Sequence, residues 1–292
     1  MPELPDIDVY IDKLDERING RILKQIRVAT PFLLRSVDPP LSHAIDKRVS
    51  GLRRVGKRIA IGLEGDYWLI LHLMIAGRLQ WHDIRPALSG RNRLALFDFS
   101  NGSLSLTEAG SKRRASLYLV QGRESLDAHD PGGIEPLICS FEEFAWQLTI
   151  ANRTLKRVLT DPSRFSGIGN AYSDEILHAA RLSPIALSCK LNTAEQKRLY
   201  DAMRTVLHQW RERLLAETGN NFPSKVSAFR NGMSVHGQFG KACPVCGATV
   251  QRIRYKNNET NYCPRCQTGS KLLADRALSR LLKADWPDRI ED

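Results

Sequence analysis

Residues 161–177 read DPSRFSGIGNAYSDEIL, and this stretch decides the fold of the second half of the chain. A turn containing Gly167 and Gly169 separates two segments whose apolar residues recur at helical spacing. A helix that begins at Asn170 directs its unpaired backbone N–H groups, and the positive end of its dipole, toward that turn. The pattern therefore predicts helix, turn, helix, serving either to bind an anion such as a phosphate or only as a structural turn.

Helical spacing continues on both sides of this turn. Ser140 followed by Glu143 has the pattern of a capping box, which marks a helix start. The predicted helical segments are 140–152, 154–162, 170–182, 192–218 and, near the end of the chain, 273–285. The second half is thus predicted to be mainly α-helical.

The first 121 residues have a different pattern. One amphipathic helix contains Ile7, Leu14 and Ile18, with Asp6 predicted to cap its start and Gly20 to end it. Short β-prone segments follow, at 22–29, 58–74 with a Gly-Asp turn, 93–107 with an Asn-Gly turn, and 116–120. Strands joined by hairpins predict an antiparallel sheet of the sandwich or barrel type beside the helix, and the whole chain is predicted to be α+β.

Six cysteines are present, and four of them have the spacing of a metal site. Cys243, Cys246, Cys263 and Cys266 form C-x2-C, sixteen residues, C-x2-C, which is typical of a zinc ion held by four thiolates. Disulfides are the alternative, disfavoured because the N-terminus lacks the apolar segment of a secretory signal. The same observation predicts a cytoplasmic location. Cys139 and Cys189 are predicted to be small buried residues.

Positive charge is concentrated in the second half. The net charge is +11, with 20 basic and 19 acidic residues before position 151 and 23 basic and 13 acidic residues after it. A basic domain next to a neutral one suggests a polyanionic partner, with nucleic acid as the first candidate and an anionic membrane as the second. Taken by itself, the charge is equally consistent with a surface that is basic only for solubility. No apolar run reaches the roughly 20 residues of a membrane span.

The chain begins MPELPDIDVY. Taken alone, Pro2 is a stiff chain end and Glu3 a solvated charge. Together with VGKRIA around Lys57, GIGNAYSDE at 167–175 and the two cysteine pairs, however, PELPD resembles the formamidopyrimidine-DNA glycosylase/endonuclease VIII family of DNA repair enzymes. The motifs occur in the family's order over nearly the full length.

This resemblance implies a fold and a domain division. The fold is an N-terminal helix with an antiparallel β-sandwich, then a mainly α-helical helix–two-turn–helix domain with a C-terminal zinc finger. The implied parts are 1–122 as the catalytic sandwich domain, 123–139 as a linker, 140–234 as the helix–two-turn–helix domain, and 235–292 as the finger hairpin with a final helix. One structural zinc ion is implied, and DNA is expected in the cleft between the domains.

The resemblance also implies a catalytic set. Removal of Met1 exposes the secondary amine of Pro2, which attacks the sugar C1′ of a damaged nucleotide and forms an iminium, as lysine amines do with carbonyl compounds. Glu3 transfers protons, and Lys57 contacts a phosphate near the lesion. The implied activity is a base-excision glycosylase with lyase activity that removes oxidised bases and cleaves the abasic strand by β- and δ-elimination. The implied partner is double-stranded DNA with a damaged or abasic nucleotide, bound by a monomer at the nucleoid and not at a membrane.

A second set of residues is implied to contact DNA. Lys156, Gly169 and Asn170 match positions that hold backbone phosphates, while Glu175 is expected to fix the shape of that motif. Since the base must be flipped out of the duplex, side chains must fill the gap it leaves. Ile75, Arg113 and Arg114 lie in the loops that do so in the family.

Two departures from the family pattern bear on activity. Asn258 stands where many members have an arginine aimed at the phosphate beside the lesion, with Arg254 and Lys256 as nearby substitutes. The segment 218–237 is also short for the loop that covers an oxidised purine. These two departures motivate an alternative function, in which a non-catalytic protein with the same scaffold binds damaged DNA. A zinc-ribbon RNA-binding protein is a weaker alternative, because it leaves PELPD unexplained.

Overall fold

A computed structural model of the chain describes residues 1–110, 112–223, 226, 230–255, 258–274 and 289. The predicted helix 273–285 lies outside these residues from position 275 onward. The chain divides into two compact units. Unit 1 comprises Met1–Pro131 and Trp210–Ser227, and unit 2 comprises Gly132–Gln209 and Ala228–Asp292.

Unit 1 is built on an antiparallel sheet of eight strands. The strands are Ile22–Val28 (β1), Lys47–Val55 (β2), Arg58–Leu63 (β3), Tyr67–His72 (β4), Gly77–His82 (β5), Arg93–Phe99 (β6), Gly102–Glu108 (β7) and Ser116–Gln121 (β8). Their order is β5-β7-β6-β1-β2-β3-β4-β8. Only two residue pairs, Ile22 with Arg48 and Leu23 with Lys47, join β1 to β2, so the sheet consists of two four-stranded layers. Both layers contribute to one hydrophobic core, and the predicted sandwich is confirmed.

The two predicted hairpins are present, and two strands were missed. Register is continuous across β3–β4, and β6–β7 pairs on both sides of the Asn101-Gly102 turn with one register shift between Arg93 and Ala95. β2 reads KRVSGLRRV, in which basic residues hide the apolar alternation, and β5 is a short GRLQWH segment. Both strands gain their stability from neighbouring strands more than from their own composition.

Helix α1, Leu4–Ile18, packs its apolar face into the core of unit 1. Gly20 follows it with φ of +71°, as expected of a residue that ends a helix. The predicted cap at Asp6 is wrong in detail. Glu3 is the N-cap residue, and Asp6 lies three residues inside, where its carboxylate accepts a 2.9 Å hydrogen bond from the backbone N–H of Glu3.

The polar face of α1 is held by arginines from two other elements. Arg54 of β2 donates to Asp8 at 2.9 Å, and Arg211 donates to Asp12 at 2.6 Å. Arg211 belongs to the last part of a long helix, from Trp210 onward, that contributes to unit 1. These ion pairs fix the helix that carries the amino terminus.

Unit 2 is mainly helical. The remaining helices of the chain are Arg123–Asp127 (α2, in unit 1), Phe141–Thr149 (α3), Leu155–Leu159 (α4), Asn170–Ala179 (α5), Thr193–Thr218 (α6, which continues into unit 1) and Pro264–Thr268 (α7). The Ser140 and Glu143 capping box is formed, with hydrogen bonds of 3.1 and 2.8 Å. A two-stranded hairpin, Gln251–Tyr255 (β9) and Asn258–Tyr262 (β10), follows the first cysteine pair. None of the described helices combines the length and the hydropathy needed to span a membrane.

Candidate active site and nucleic-acid interface

Met1 is half-buried and the residues that follow it pack into unit 1, unlike most chain ends, which are exposed. Pro2 is buried, and only 2% of Glu3 and 3% of Asp6 is exposed. The start of α1 immediately after Pro2 holds these residues in place, because the Glu3 backbone is tied to the Asp6 carboxylate. Two buried carboxylates beside the terminal amine are stable only if neighbouring groups balance their charges.

Four charged side chains act on the terminal amino group. Burial lowers the pKa of the Met1 amine below its ordinary value. Glu3 and Asp6 oppose that change, while Arg78 and Lys57 add to it. One amine, two carboxylates and two cations therefore share a single site, and Arg78 is a member that the sequence reasoning missed.

Lys57 reaches this site from a turn, and Arg78 reaches it from the start of β5, next to a second turn at residues 74–76. Lys57 lies in the β2–β3 turn after Gly56, whose φ is +60°, one residue before the predicted strand start. Arg78, in β5, donates from Nη1 to the carbonyl oxygens of Ile75 at 3.2 Å and Gly77 at 2.6 Å. The second of these turns is therefore held by the same guanidinium that faces the amine.

That turn presents Ile75, whose exposed fraction is 63%. The backbone is unusual on both sides of it: Met74 has φ of +50°, and a Cβ at Gly77 would lie 2.2 Å from the Leu73 carbonyl oxygen. Only glycine fits at position 77. An exposed apolar side chain on a fixed turn has the form of a wedge that enters a base stack, which is the role predicted for Ile75.

The second predicted loop is fixed by an acid that the sequence analysis did not single out. Glu108 is buried, and its carboxylate accepts hydrogen bonds from the backbone N–H groups of Arg114 at 2.9 and 3.0 Å and of Ala115 at 2.9 Å. The side chains of Arg113 and Arg114 are exposed. Arg113 also donates to the Arg91 carbonyl oxygen. The role of both arginines at DNA stays a prediction.

In unit 2, Lys156 and Asn170 turn toward the protein. The Lys156 ammonium contacts the Asn170 carbonyl oxygen at 2.6 Å and the Asp174 carboxylate at 2.5 Å, and its side chain is 12% exposed. The Asn170 side chain donates to the Glu259 carbonyl oxygen of β10 at 2.9 Å. Both residues thus hold α5 to its surroundings, and their contacts with phosphate stay a prediction, as does that of Gly169 at the helix N-cap.

Asp174 is a buried residue whose carboxylate contacts three other side chains, and the sequence reasoning missed it. Besides Lys156, its carboxylate contacts His236 Nδ1 at 2.8 Å and accepts from the Asn261 backbone N–H at 3.2 Å and side-chain amide at 3.3 Å. The neighbouring Glu175 accepts three backbone N–H bonds of 2.8 to 2.9 Å from residues 234–236. The two acids join α5 to the segment before the finger and to β10, so Glu175 fixes more than the helix–two-turn–helix itself.

Replacing Asp174 by asparagine is expected to lower the free energy of unfolding by about 3–5 kcal/mol, because it leaves the ammonium of Lys156 buried without a counter-charge. Chemical denaturation monitored by circular dichroism measures this change. The matched control is Asp201→Asn, which removes an exposed i,i+4 pair with Lys197 and is expected to cost at most about 1 kcal/mol. Equal effects of the two substitutions would contradict this role for Asp174.

The cysteines of the two C-x2-C pairs converge. Cys243 Sγ is 4.0 Å from Cys266 Sγ, and Cys246 Sγ is 3.3 Å from Cys263 Sγ. Four sulfurs each about 2.3 Å from one zinc ion lie about 3.8 Å apart, so the donor set fits zinc. Burial and neighbouring thiols raise the pKa of Cys263 to about 11, so these thiolates form together only with a cation to balance them. The chain has one structural zinc site.

The other two cysteines differ from each other. Cys139 is buried, as predicted, with its thiol 3.8 Å from the Pro136 carbonyl oxygen. Cys189 is exposed, so the prediction that it is buried is wrong. Cys189 is the middle residue of the short 3-10 turn Ser188–Lys190, and its thiol contacts the Thr149 carbonyl oxygen at 3.2 Å.

Asn258 is the first residue of β10, opposite Tyr255, and it is exposed. Of its possible substitutes, Arg254 lies in β9 opposite Glu259, whereas Lys256 lies outside the described residues. The finger hairpin thus presents a neutral amide at the position where the family pattern has a cation.

Three domain models match the chain in order. They are the formamidopyrimidine-DNA glycosylase N-terminal domain over residues 1–115, the formamidopyrimidine-DNA glycosylase H2TH domain over 133–213, and the zinc finger found in FPG and IleRS over 240–269. Sandwich, H2TH helices and zinc finger together define a class of zinc-finger DNA repair proteins.

Similar protein sequences place the chain within that class. It is 31% identical over 281 residues to the formamidopyrimidine-DNA glycosylase of Heliobacterium modesticaldum, covering 91% of this chain and 100% of that protein. It is also 42% identical over 151 residues to an uncharacterized formamidopyrimidine-DNA glycosylase-like protein of Mycobacterium tuberculosis, covering 52% of this chain and 94% of that one. The chain belongs to the formamidopyrimidine-DNA glycosylase family.

Solved structures agree on the fold. The complex of Lactococcus lactis Fpg with abasic-site DNA matches with a TM-score of 0.79 at 22% identity, over 91% of this chain and 99% of that one. MutM in complex with DNA containing carbocyclic 8-oxo-G matches with a TM-score of 0.79 at 23% identity, over 91% and 100%. These likenesses establish the fold class.

Proposed function

We propose that this protein is a base-excision-repair DNA glycosylase that also cleaves abasic sites, acting through an iminium at Pro2. The observation that carries the proposal is the burial of Pro2 and Glu3 at the amino terminus, with Lys57 and Arg78 close enough to lower the pKa of the Met1 amine. The substrate class is oxidised bases in double-stranded DNA, including formamidopyrimidines. The protein works as a monomer on the DNA of the nucleoid.

The amine is prepared for attack by its surroundings. Pro2 is buried, and removal of Met1 makes its nitrogen a secondary amine whose neutral form is favoured by desolvation. A neutral amine has the free electron pair that nucleophilic attack on C1′ requires. We therefore expect covalent trapping of the DNA to persist at pH values below the ordinary α-amino pKa of about 8.

In the first step the Pro2 nitrogen forms a bond to C1′ and the bond from C1′ to the damaged base breaks. The base leaves with a proton, and the sugar ring opens to give the iminium. Glu3, buried beside the amine, exchanges the protons of these steps. β-Elimination then breaks the bond from C3′ to its phosphate oxygen, δ-elimination breaks the corresponding bond at C5′, and hydrolysis of the iminium frees Pro2.

Lys57 and Arg78 bind the phosphates that flank the lesion. Lys57 is in a turn, and Arg78 is fixed by two carbonyl oxygens of the turn that carries Ile75. Together they give the site a positive potential that attracts the DNA backbone. Ile75 fills the gap left by the flipped nucleotide.

The basic second half binds the DNA backbone. The zinc ion, held by four thiolates, leaves no open position for substrate and orders the finger. α5 and the finger hairpin are joined through Asn170, Asp174 and Glu259. This arrangement presents the helix–two-turn–helix and the hairpin as one backbone-binding surface with salt-sensitive affinity.

One experiment decides between catalysis and binding alone. The Met1-processed protein is incubated with a duplex that contains a single abasic site, and borohydride is added to reduce any iminium. A covalent protein–DNA adduct is the expected result. Binding of the duplex without an adduct would instead support the alternative function, a non-catalytic damaged-DNA-binding protein, which the neutral Asn258 favours.

Asn258→Arg is expected to strengthen DNA binding through one added phosphate contact. The logarithm of the binding constant should then fall more steeply with the logarithm of salt concentration, by about 0.9 in slope. Fluorescence anisotropy with a labelled abasic-analogue duplex over a salt series measures the slope. Gln209→Arg, at an exposed position of α6 outside the finger, adds the same charge as a control. An unchanged slope for Asn258→Arg would show that this position does not face a phosphate.

A further inference from the structure

A buried histidine lies against the metal-binding cysteines. His178, in α5, is 6% exposed, and its Nε2 atom is 3.3 Å from Cys243 Sγ. His178 Nε2 and the sulfurs of Cys243, Cys263 and Cys266 all lie within 4.8 Å of one another. The C-x2-C pairs do not predict a fifth group at the site, since His178 is 65 residues from Cys243 in sequence.

We propose that His178 donates an Nε2–H hydrogen bond to the zinc-bound thiolate of Cys243 and so positions the metal site on α5. The alternative is that the imidazole itself binds the zinc. The two C-x2-C pairs supply four sulfurs, and the sulfurs that face each other across the pairs lie 4.0 and 3.3 Å apart, so four thiolates are enough for tetrahedral coordination. A tetrahedral zinc site has no fifth position, so the imidazole is left as a neighbour.

The chemistry of the two groups fixes the direction of the bond. A zinc-bound thiolate carries no proton and is only an acceptor, so the contact requires a proton on Nε2. His178 is buried, and its Nε2 atom lies 3.3 Å from Cys243 Sγ, within hydrogen-bonding distance of sulfur. A neutral imidazole that donates from Nε2 withdraws charge from a site of four thiolates around a divalent ion.

Through the position of His178 on α5, this hydrogen bond links the metal site to the helix. Asn170, Asp174 and His178 are spaced by four residues and lie along one face of α5. They contact, respectively, the carbonyl oxygen of Glu259, the amide of Asn261 and the thiol of Cys243. These three residues of α5 thus contact both the hairpin and the metal site. Zinc binding is thereby coupled to the placement of the finger on α5.

The test measures zinc affinity by competition with a chromophoric chelator, using the full chain loaded with zinc. His178→Phe keeps the ring volume and removes the donor, and it is expected to weaken zinc binding by about 10- to 100-fold, as losses of such outer hydrogen bonds do. His178→Gln, which retains an N–H donor, is expected to recover most of the affinity. His208→Phe, at an exposed histidine of α6, is the control.

Cobalt substitution separates the two possible roles of the imidazole. Co²⁺ absorbs in the near ultraviolet in proportion to the thiolates that bind it, and its visible bands respond to the identity of the four ligands. We expect the same spectrum for the native protein and His178→Phe. An altered visible spectrum would make His178 a ligand, and an unchanged zinc affinity in His178→Phe would remove its role altogether; either result overturns the proposal. Both readouts are independent of glycosylase activity.

Discussion

Protein that retains residues before Pro2 is expected to form no borohydride-trapped adduct with abasic DNA. An N-terminal extension turns the proline nitrogen into a tertiary amide, which has no free electron pair for attack on C1′. Loss of a nucleophile costs orders of magnitude in rate, and we expect trapping to fall by at least about 10³-fold.

The measurement compares three forms of the chain by gel separation of the trapped complex. One carries an N-terminal tag, one has had that tag cleaved so that Pro2 is exposed, and one carries the same tag after Asp292. Only the first should fail to trap, while all three should bind the duplex with similar affinity. Pro2→Gly should trap less than the native protein. Efficient trapping by the N-terminally tagged form would exclude Pro2 as the nucleophile.

Glu3→Gln is expected to separate the two halves of the reaction. Release of a damaged base requires proton transfer, and loss of a general acid–base group typically costs about 10²- to 10⁴-fold in rate. An abasic site has no base to release, so its trapping should survive at least in part. The substitution keeps the size of the side chain and the backbone N–H bond to Asp6, which preserves the start of α1.

Single-turnover excision from a duplex with one oxidised base measures the first half, and abasic-site trapping measures the second. Glu16→Gln is the control, because Glu16 lies on the same helix at its exposed end, where it pairs with Lys13. It should leave both rates unchanged. Equal losses of excision and trapping in Glu3→Gln would mean that Glu3 positions the amine and does not transfer the proton.

Burial shifts the pKa of ionisable groups in opposite directions at two places in the chain. At the amino terminus, burial lowers the pKa of the Met1 amine and so favours its neutral form. Near the end, burial raises the pKa of the finger thiol of Cys263, which then needs a cation to ionise. Low polarity around an ionisable group therefore has opposite chemical consequences for an amine and a thiol.

Local patterns were enough for much of the fold. The helix after Pro2, the hairpins with Gly-Asp and Asn-Gly turns, and the Ser140 capping box were all predicted, because each is stabilised by residues within a few positions of one another. The zinc site was predicted because a C-x2-C pair carries its geometry in its own turn. Strands β2 and β5 were missed because their own composition is weakly β-like and their partners supply the hydrogen bonds.

By itself, the sequence determined the fold class, the family, the metal-binding cysteines and Pro2 and Glu3 as the catalytic candidates. Tertiary structure alone decided which groups contact one another. It placed Arg78 near the terminal amine, Lys156 and His236 against Asp174, and His178 against Cys243. The last three contacts join residues 18 to 65 positions apart. Burial and charge pairing depend on which segments the folded chain brings together, and no local pattern of residues specifies that.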